Sequence, residues 1–286
     1  MPHQNLIGTV ALAAAFTLAF ADAQAFDESK YPDWSGAYRR IPVPGVTGQP
    51  AYDQTKRLGK AQQAPLTPEA EAILDASIAE QAKGGQGNYP TYTCLSPGMP
   101  RIMTLYGAAE FIITPETTHI LLEHVHDSRR IYTDGRDWPK TITPTFQGYS
   151  IGQWIDTNGD GRYDLLEVET RGFKGPRAFD ASGMPLHRDN QTIVKERIYT
   201  DPSNPNVLLN EITTIDNSLT RPWTVTKRYG RNPNEKLVWE EENCAEGNGH
   251  VEIRGQGYFL SAEGHLMPTR KDQPPPDLRY FNQAPK

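Results

Sequence analysis

Cysteine is nearly absent: 286 residues contain only Cys94 and Cys244. Without a Cys-x-x-Cys pair, a zinc site built on these two alone is excluded. So is a disulfide-dense scaffold, which leaves a hydrophobic core to hold the chain. Positive charge is in deficit, with 29 Lys and Arg against 35 Asp and Glu and a net charge of −6. That balance argues against a general nucleic-acid binder. After the first 25 residues there is no apolar run of spanning length, so no membrane span is expected in the mature chain. A phosphate loop, a dinucleotide fingerprint, a G-x-S-x-G elbow and an HExxH helix are also missing, and no organic cofactor is expected.

The first 25 residues read as an address. Leu6 to Ala21 is largely apolar or small and leads to Ala23-Gln24-Ala25, the small-x-small form a signal peptidase accepts. A signal peptide over 1–25 and a periplasmic or secreted protein are therefore expected. Phe26 follows the cut where a lipoprotein would need cysteine. An oxidising compartment makes a Cys94–Cys244 bridge the simplest outcome, with two buried thiols as the alternative.

Gly and Pro, at 24 each, favour turns and short strands. Thr67-Pro68-Glu69-Ala70 opens one clear helix, with Thr67 as N-cap, Pro68 at its first position and Ala70, Ile73, Leu74 and Ile78 as an apolar stripe. Gly84-Gly85 stops it near residue 83. From Cys94 onward the pattern changes to strands. Phe111–Thr114, Thr118–His126, Arg129–Thr133, Tyr149–Ile155, Tyr163–Thr170, Thr192–Tyr199, Val207–Ile215, Trp223–Tyr229 and His250–Phe259 each read as β. Short antiparallel strands with one N-terminal helix imply a single mainly-β domain over 26–286, a barrel or sandwich, with an extended Pro274-Pro275-Pro276 tail. Gly36, flanked by Trp34 and Tyr38 at the start of the first strand, suits a small-ligand barrel whose floor a ring closes.

The sharpest motif runs from Asp156 to Glu167 and fits D-x-[DN]-x-[DN]-G-x5-E. Asp156, Asn158 and Asp160 would offer side-chain oxygens to Ca²⁺, Arg162 a carbonyl, Asp164 a direct or water-borne ligand and Glu167 the closing carboxylate. Strand-like flanks place this loop at a hairpin tip. There a structural ion and an ion-free Asn/Asp/Gly turn are the competing readings.

Other residues suit acid/base work or binding. Alternation puts Ile120, Leu122, His124 and His126 on one strand face. Arg130 and Tyr132 share a face and would need partners such as Glu167, Glu169 or Glu196 if buried. Leu186-His187-Arg188-Asp189 reads as a polar loop holding a His with an Asp two residues on. Arg221 precedes Trp223, whose ring would line a pocket or cap the core.

Cys94-Leu95-Ser96-Pro97-Gly98-Met99-Pro100-Arg101, Arg129 to Arg136, Ser150-Ile151-Gly152-Gln153-Trp154 and Arg221 to Val225 together resemble a large family of uncharacterised secreted bacterial proteins. The resemblance spans about residues 30–245 and implies a calycin-like, lipocalin-like antiparallel β-barrel. Relatives place a shorter hairpin after the Ser-Ile-Gly-x-Trp motif, and many carry His where this chain has Tyr149.

The expectation is an exported barrel that takes a small, partly apolar or aromatic molecule into an internal pocket. In its catalytic form it would be a cofactor-independent lyase or isomerase. His126 would be the acid or base, Tyr132 and Arg130 would orient an oxygen, and His187 with Asp189 would form a second pair. His124, Arg221 and Trp223 would bind substrate. A non-catalytic carrier and a cell-envelope interaction protein are the alternatives. Convergence of the catalytic residues on one cavity favours the enzyme. An apolar cavity with one polar rim favours the carrier.

Overall fold

The computed structural model describes residues 26–124, 127–236, 238–239, 250–253, 256–260 and 265–275. The predicted signal peptide, His126 and Cys244 lie outside them. The helix α1 (Pro68–Gln81) forms where predicted: Thr67 Oγ1 accepts the Ala70 amide at 3.3 Å and Pro68 opens the first turn. Ala70, Leu74 and Ser77 face the core. Ile73, expected in the buried stripe, is 41% exposed.

Nine strands close a barrel in sequence order. They are β1 (Ala37–Arg40), β2 (Ala109–Ile113), β3 (Thr117–Leu122), β4 (Ser128–Tyr132), β5 (Tyr149–Ile155), β6 (Leu165–Arg171), β7 (Ile193–Asp201), β8 (Asn204–Ile215) and β9 (Trp223–Arg231). Every seam is antiparallel except one, which corrects the purely antiparallel expectation. β4 and β5 run parallel, paired at Ile131↔Ser150 and Tyr132↔Ile151. The cause is the long crossover from Thr133 to Gly148, which carries the chain back before β5 begins. The predicted strand His250–Phe259 is instead two, β10 (His250–Ile253) and β11 (Gln256–Leu260). With β12 (Leu266–Pro268) they make a separate three-stranded sheet. Among the described residues no helix is long and apolar enough to cross a membrane.

Alternation along each strand decides what the barrel holds. One end is closed by Trp34, whose ring lies 4.9 Å from Trp154 and 5.7 Å from Phe111, centroid to centroid. The other is closed by Tyr52, Phe179 and Trp223, with rings 5.0 to 5.2 Å apart. Between them sits a polar layer. Arg129 on β4 donates to Glu196 on β7 through Nη2 at 2.6 Å and Nη1 at 3.1 Å, and both side chains are essentially inaccessible. Asn210 Nδ2 donates to the same carboxylate at 2.9 Å, and Ser150 and Thr170 bond to each other at 2.9 Å beside it. Tyr229 donates to the Met103 carbonyl at 2.6 Å. Lys227, fully buried, lies 4.3 Å from the centre of the Tyr52 ring. Burial drives its pKa well below the usual lysine range, and the neighbouring Arg101 pushes the same way.

This layer predicts a specific mutational pattern. Arg129→Met strands a buried carboxylate and should cost about 3–5 kcal/mol in urea unfolding. Adding Glu196→Met should recover most of that loss, because the apolar pair restores balance. A double variant no more stable than Arg129→Met would show that the pair does not act as a unit.

Candidate functional site

The residues predicted to act together are spread over the molecule. β3 ends at Leu122, so His124 stands beyond the strand, its ring 5.2 Å from Tyr106, rather than on the inward face with Ile120. Arg130 and Tyr132 point away from the lumen, because Arg129 and Ile131 are the buried residues of β4. Tyr132 lies 5.0 Å from Tyr149, ring to ring, with the Arg136 guanidinium 3.8 Å above it. Trp223 is core, and Arg221 is exposed with only a long bond to the Pro222 carbonyl at 3.5 Å. No described cysteine is free, Cys94 included. The predicted partner Cys244 is not among the described residues.

The acidic loop joins β5 to β6, as expected. Asp156 accepts the amides of Gly159 at 2.7 Å, Asp160 at 3.3 Å and Gly161 at 2.8 Å. Gly161 supplies the left-handed turn at φ 85°. Asp164 is taken up by the amide and hydroxyl of Thr157. Asn158 and Asp160 bond to each other, and Asp160 also accepts the Arg162 amide. Glu167, the expected closing ligand, is engaged by another partner. It lies on the outer face of β6 and pairs with Arg197 at 3.3 Å. Among the described residues no three His, Cys, Asp or Glu side chains are grouped to hold a metal.

One predicted pair does come together. His187 Nδ1 stands 2.9 Å from Asp189 Oδ2, and Asn217 Nδ2 donates to the same oxygen at 2.6 Å. The Asp189 amide also lies 3.3 Å from Nδ1. The two contacts demand opposite tautomers. The shorter contact, to a charged acceptor, favours a proton on Nδ1. Burial pushes the Asp189 carboxyl up. The Gln191 amide, Asn217 and His187 outweigh it and hold its pKa at about 2.

A small hairpin positions the pair. Ala178 bridges to Pro185, and the Phe179 amide donates to the Met184 carbonyl at 2.8 Å. This turn buries Phe179 and Met184 in the barrel end and releases the chain at Leu186. The His187 amide then donates to Asp216 Oδ1 at 2.9 Å. Asp216 Oδ2 accepts Thr192 at 2.5 Å, and Arg177 donates to Thr192 at 2.7 Å. The Arg177 guanidinium stacks 4.5 Å from the centre of the Phe173 ring. Burial lowers its pKa to about 10 against the pull of Asp216 and Asp189.

His187 and Arg177 border a cleft of about 600 Å³ between α1 and this hairpin. Ala70, Ile73, Ala76, Pro176, Pro185 and Leu186 make its walls mainly apolar. Exposed Ile73 is explained by this cleft. Sequence reading missed Ile73 and Arg177 as site residues. An Ile on a predicted core stripe gives no sign of facing a void, and Arg177 lies in a stretch without periodicity.

Depression of Asp189 is testable by carbon-detected NMR titration, which should return a carboxyl pKa near 2. His187→Ala and Asn217→Ala should each raise it toward the usual carboxylate range, since each removes a partner of the charged form. Unchanged titration in both variants would separate Asp189 from the pair. No protein-family model, curated protein or solved structure matches the chain, and the family resemblance of its motifs stands as a proposal.

Proposed function

We propose that the protein is an exported β-barrel that binds a small, partly apolar molecule in the cleft under α1, outside the barrel lumen. The observation that carries this reading is the cleft itself, with mainly apolar walls and a polar border that includes His187, Arg188 and Glu69, His187 being held from behind by Asp189. About 600 Å³ falls within the usual range for small-molecule sites. The walls favour a hydrocarbon or aromatic body. His187 and the exposed Arg188, 3.9 Å from Glu69, offer polar contacts at one end. The proposed site lies outside the barrel, in place of the internal pocket expected from sequence.

Binding without chemistry is the leading form of the reading, as expected for an apolar cavity with one polar border. Acid/base catalysis is the second form, favoured by the 2.9 Å contact of His187 Nδ1 with Asp189 Oδ2 at the edge of the cleft. The probe is anilinonaphthalene sulfonate, an aromatic anion whose fluorescence rises in apolar sites. Saturable binding by the folded protein is expected, weakened about tenfold by Ile73→Glu, which puts a charge on the cleft wall without disturbing the core. Equal binding by the variant would place the probe elsewhere and remove the cleft from the proposal.

Ca²⁺ at the β5–β6 tip is a separate proposal, resting on Asp156, Asn158, Asp160, the Arg162 carbonyl and Asp164. Calorimetry should give a saturable heat that Asp160→Ala abolishes. Absence of heat and of any melting shift with excess Ca²⁺ would remove the ion.

A further inference from the structure

A second cavity, about 910 Å³, opens on the opposite kind of surface. Its floor is the outer face of β5 to β8. Its walls are Tyr31 and Tyr163 on one side and the start of the crossover, from Thr133 to Arg136, on the other. None of the residues proposed above for small-molecule binding lines it.

The floor is a ladder of opposite charges. Lys195 pairs with Glu169 at 3.4 Å. Arg197 pairs with Glu167 at 3.3 Å and with Glu211 at 3.2 Å. Tyr199 donates to Glu211 at 2.8 Å, and Arg171 pairs with Glu169. Along the groove Glu167, Glu169 and Glu211 thus face Lys195, Arg197 and Arg136, so the surface carries many donors and acceptors but little net field. Such a face gives no advantage to an anionic or cationic polymer, whose binding depends on uncompensated charge. Its planar carboxylates and guanidinium suit paired hydroxyls, each oxygen of which both donates and accepts.

The wall adds flat apolar area. The Tyr31 and Tyr163 rings are 5.0 Å apart, and Tyr31 also packs 5.4 Å from Trp154 edge-on. Rings locked in this way present a face at little entropic cost. Four strands at about 4.8 Å spacing make the floor roughly 14 Å wide, enough for a short linear ligand lying across them. An uncharged, hydroxyl-rich chain with alternating flat faces and polar edges fits both walls and floor.

We propose that this groove binds an uncharged oligosaccharide, with Tyr163 and Tyr31 stacking on sugar rings and Glu167, Arg197 and Glu211 bonding to hydroxyls. The reading does not depend on the cleft under α1 and survives its failure. Affinity electrophoresis and calorimetry of the whole protein should use cello-, malto- and chitooligosaccharides, with polygalacturonate and heparin as charged controls. At least one neutral probe should bind, and the affinity should hold as salt is raised. Tyr163→Ala and Glu211→Gln should each weaken it about tenfold while the thermal melt confirms folding. His119→Ala, on the outer face of β3, should leave it unchanged. The proposal is overturned if no neutral probe binds, if only the charged polymers do, or if folded Glu211→Gln binds as tightly as the parent.

Discussion

A carboxylate and a guanidinium buried at mid-barrel constrain everything around them. Each ion loses several kcal/mol of hydration, and only close, bidentate geometry with further hydrogen bonds offsets that loss. Arg129 and Glu196 do so through two contacts to each other, with Asn210 on the carboxylate, while Arg129 Nε and Asn210 Oδ1 are buried without a hydrogen-bond partner among the described residues. Removing either ion would leave the other uncompensated in a medium where an unmade bond is costly. The closed nine-strand barrel holds a buried polar layer at its middle, and the two clefts open outside it.

The way the barrel ends are packed positions the candidate sites. At one end Tyr52, Phe179 and Trp223 cap the barrel, and the hairpin that delivers Phe179 also delivers His187. Anchoring and presentation are thus one structural act. Asp216 accepts the His187 amide, while Thr192 and Arg177 extend the same chain of bonds into the core. A rigid base behind a loop residue is what lets a single imidazole keep a defined direction. On the barrel side, alternation sends Glu167, Glu169, Lys195, Arg197 and Glu211 outward from the strands whose inward residues close the core.

Local chemistry was the most legible part of the sequence. Thr67 and Pro68 marked the start of α1, and β5 runs from Tyr149 to Ile155 as its alternation predicts. The pair His187 and Asp189 was legible too, because a two-residue spacing in a turn brings the side chains together without help from the rest of the fold. Face assignment on β4 was not. Two adjacent arginines offer either phase, and a shift of one residue exchanges inside for outside. Ile131 carried the missing signal, since it shares a face with Arg129 and not with Arg130. The segment from Phe173 to Leu186 shows no period and received no element in the sequence reading. It nevertheless buries Phe173, Phe179, Met184 and Leu186 by capping the barrel, a tertiary fact with no local signature.

The parallel seam between β4 and β5 connects these features. A purely antiparallel barrel would place a tight turn after Tyr132. Here the chain must return along the barrel first, and only two residue pairs join the strands. Beyond Tyr132 the later residues of β5 have no partner on that side, so the outer surface is not levelled by a neighbouring strand. The crossover and the Tyr31 segment flank this gap instead and become the walls of the groove over β5 to β8. The acidic loop at the far end of β5 then acts on the groove through Tyr163. Its amide donates to the Lys30 carbonyl at 2.7 Å and its ring packs against Tyr31. A departure in strand direction, a long crossover and an Asp-rich turn are separate features in the sequence, and the fold makes them the sides of one surface.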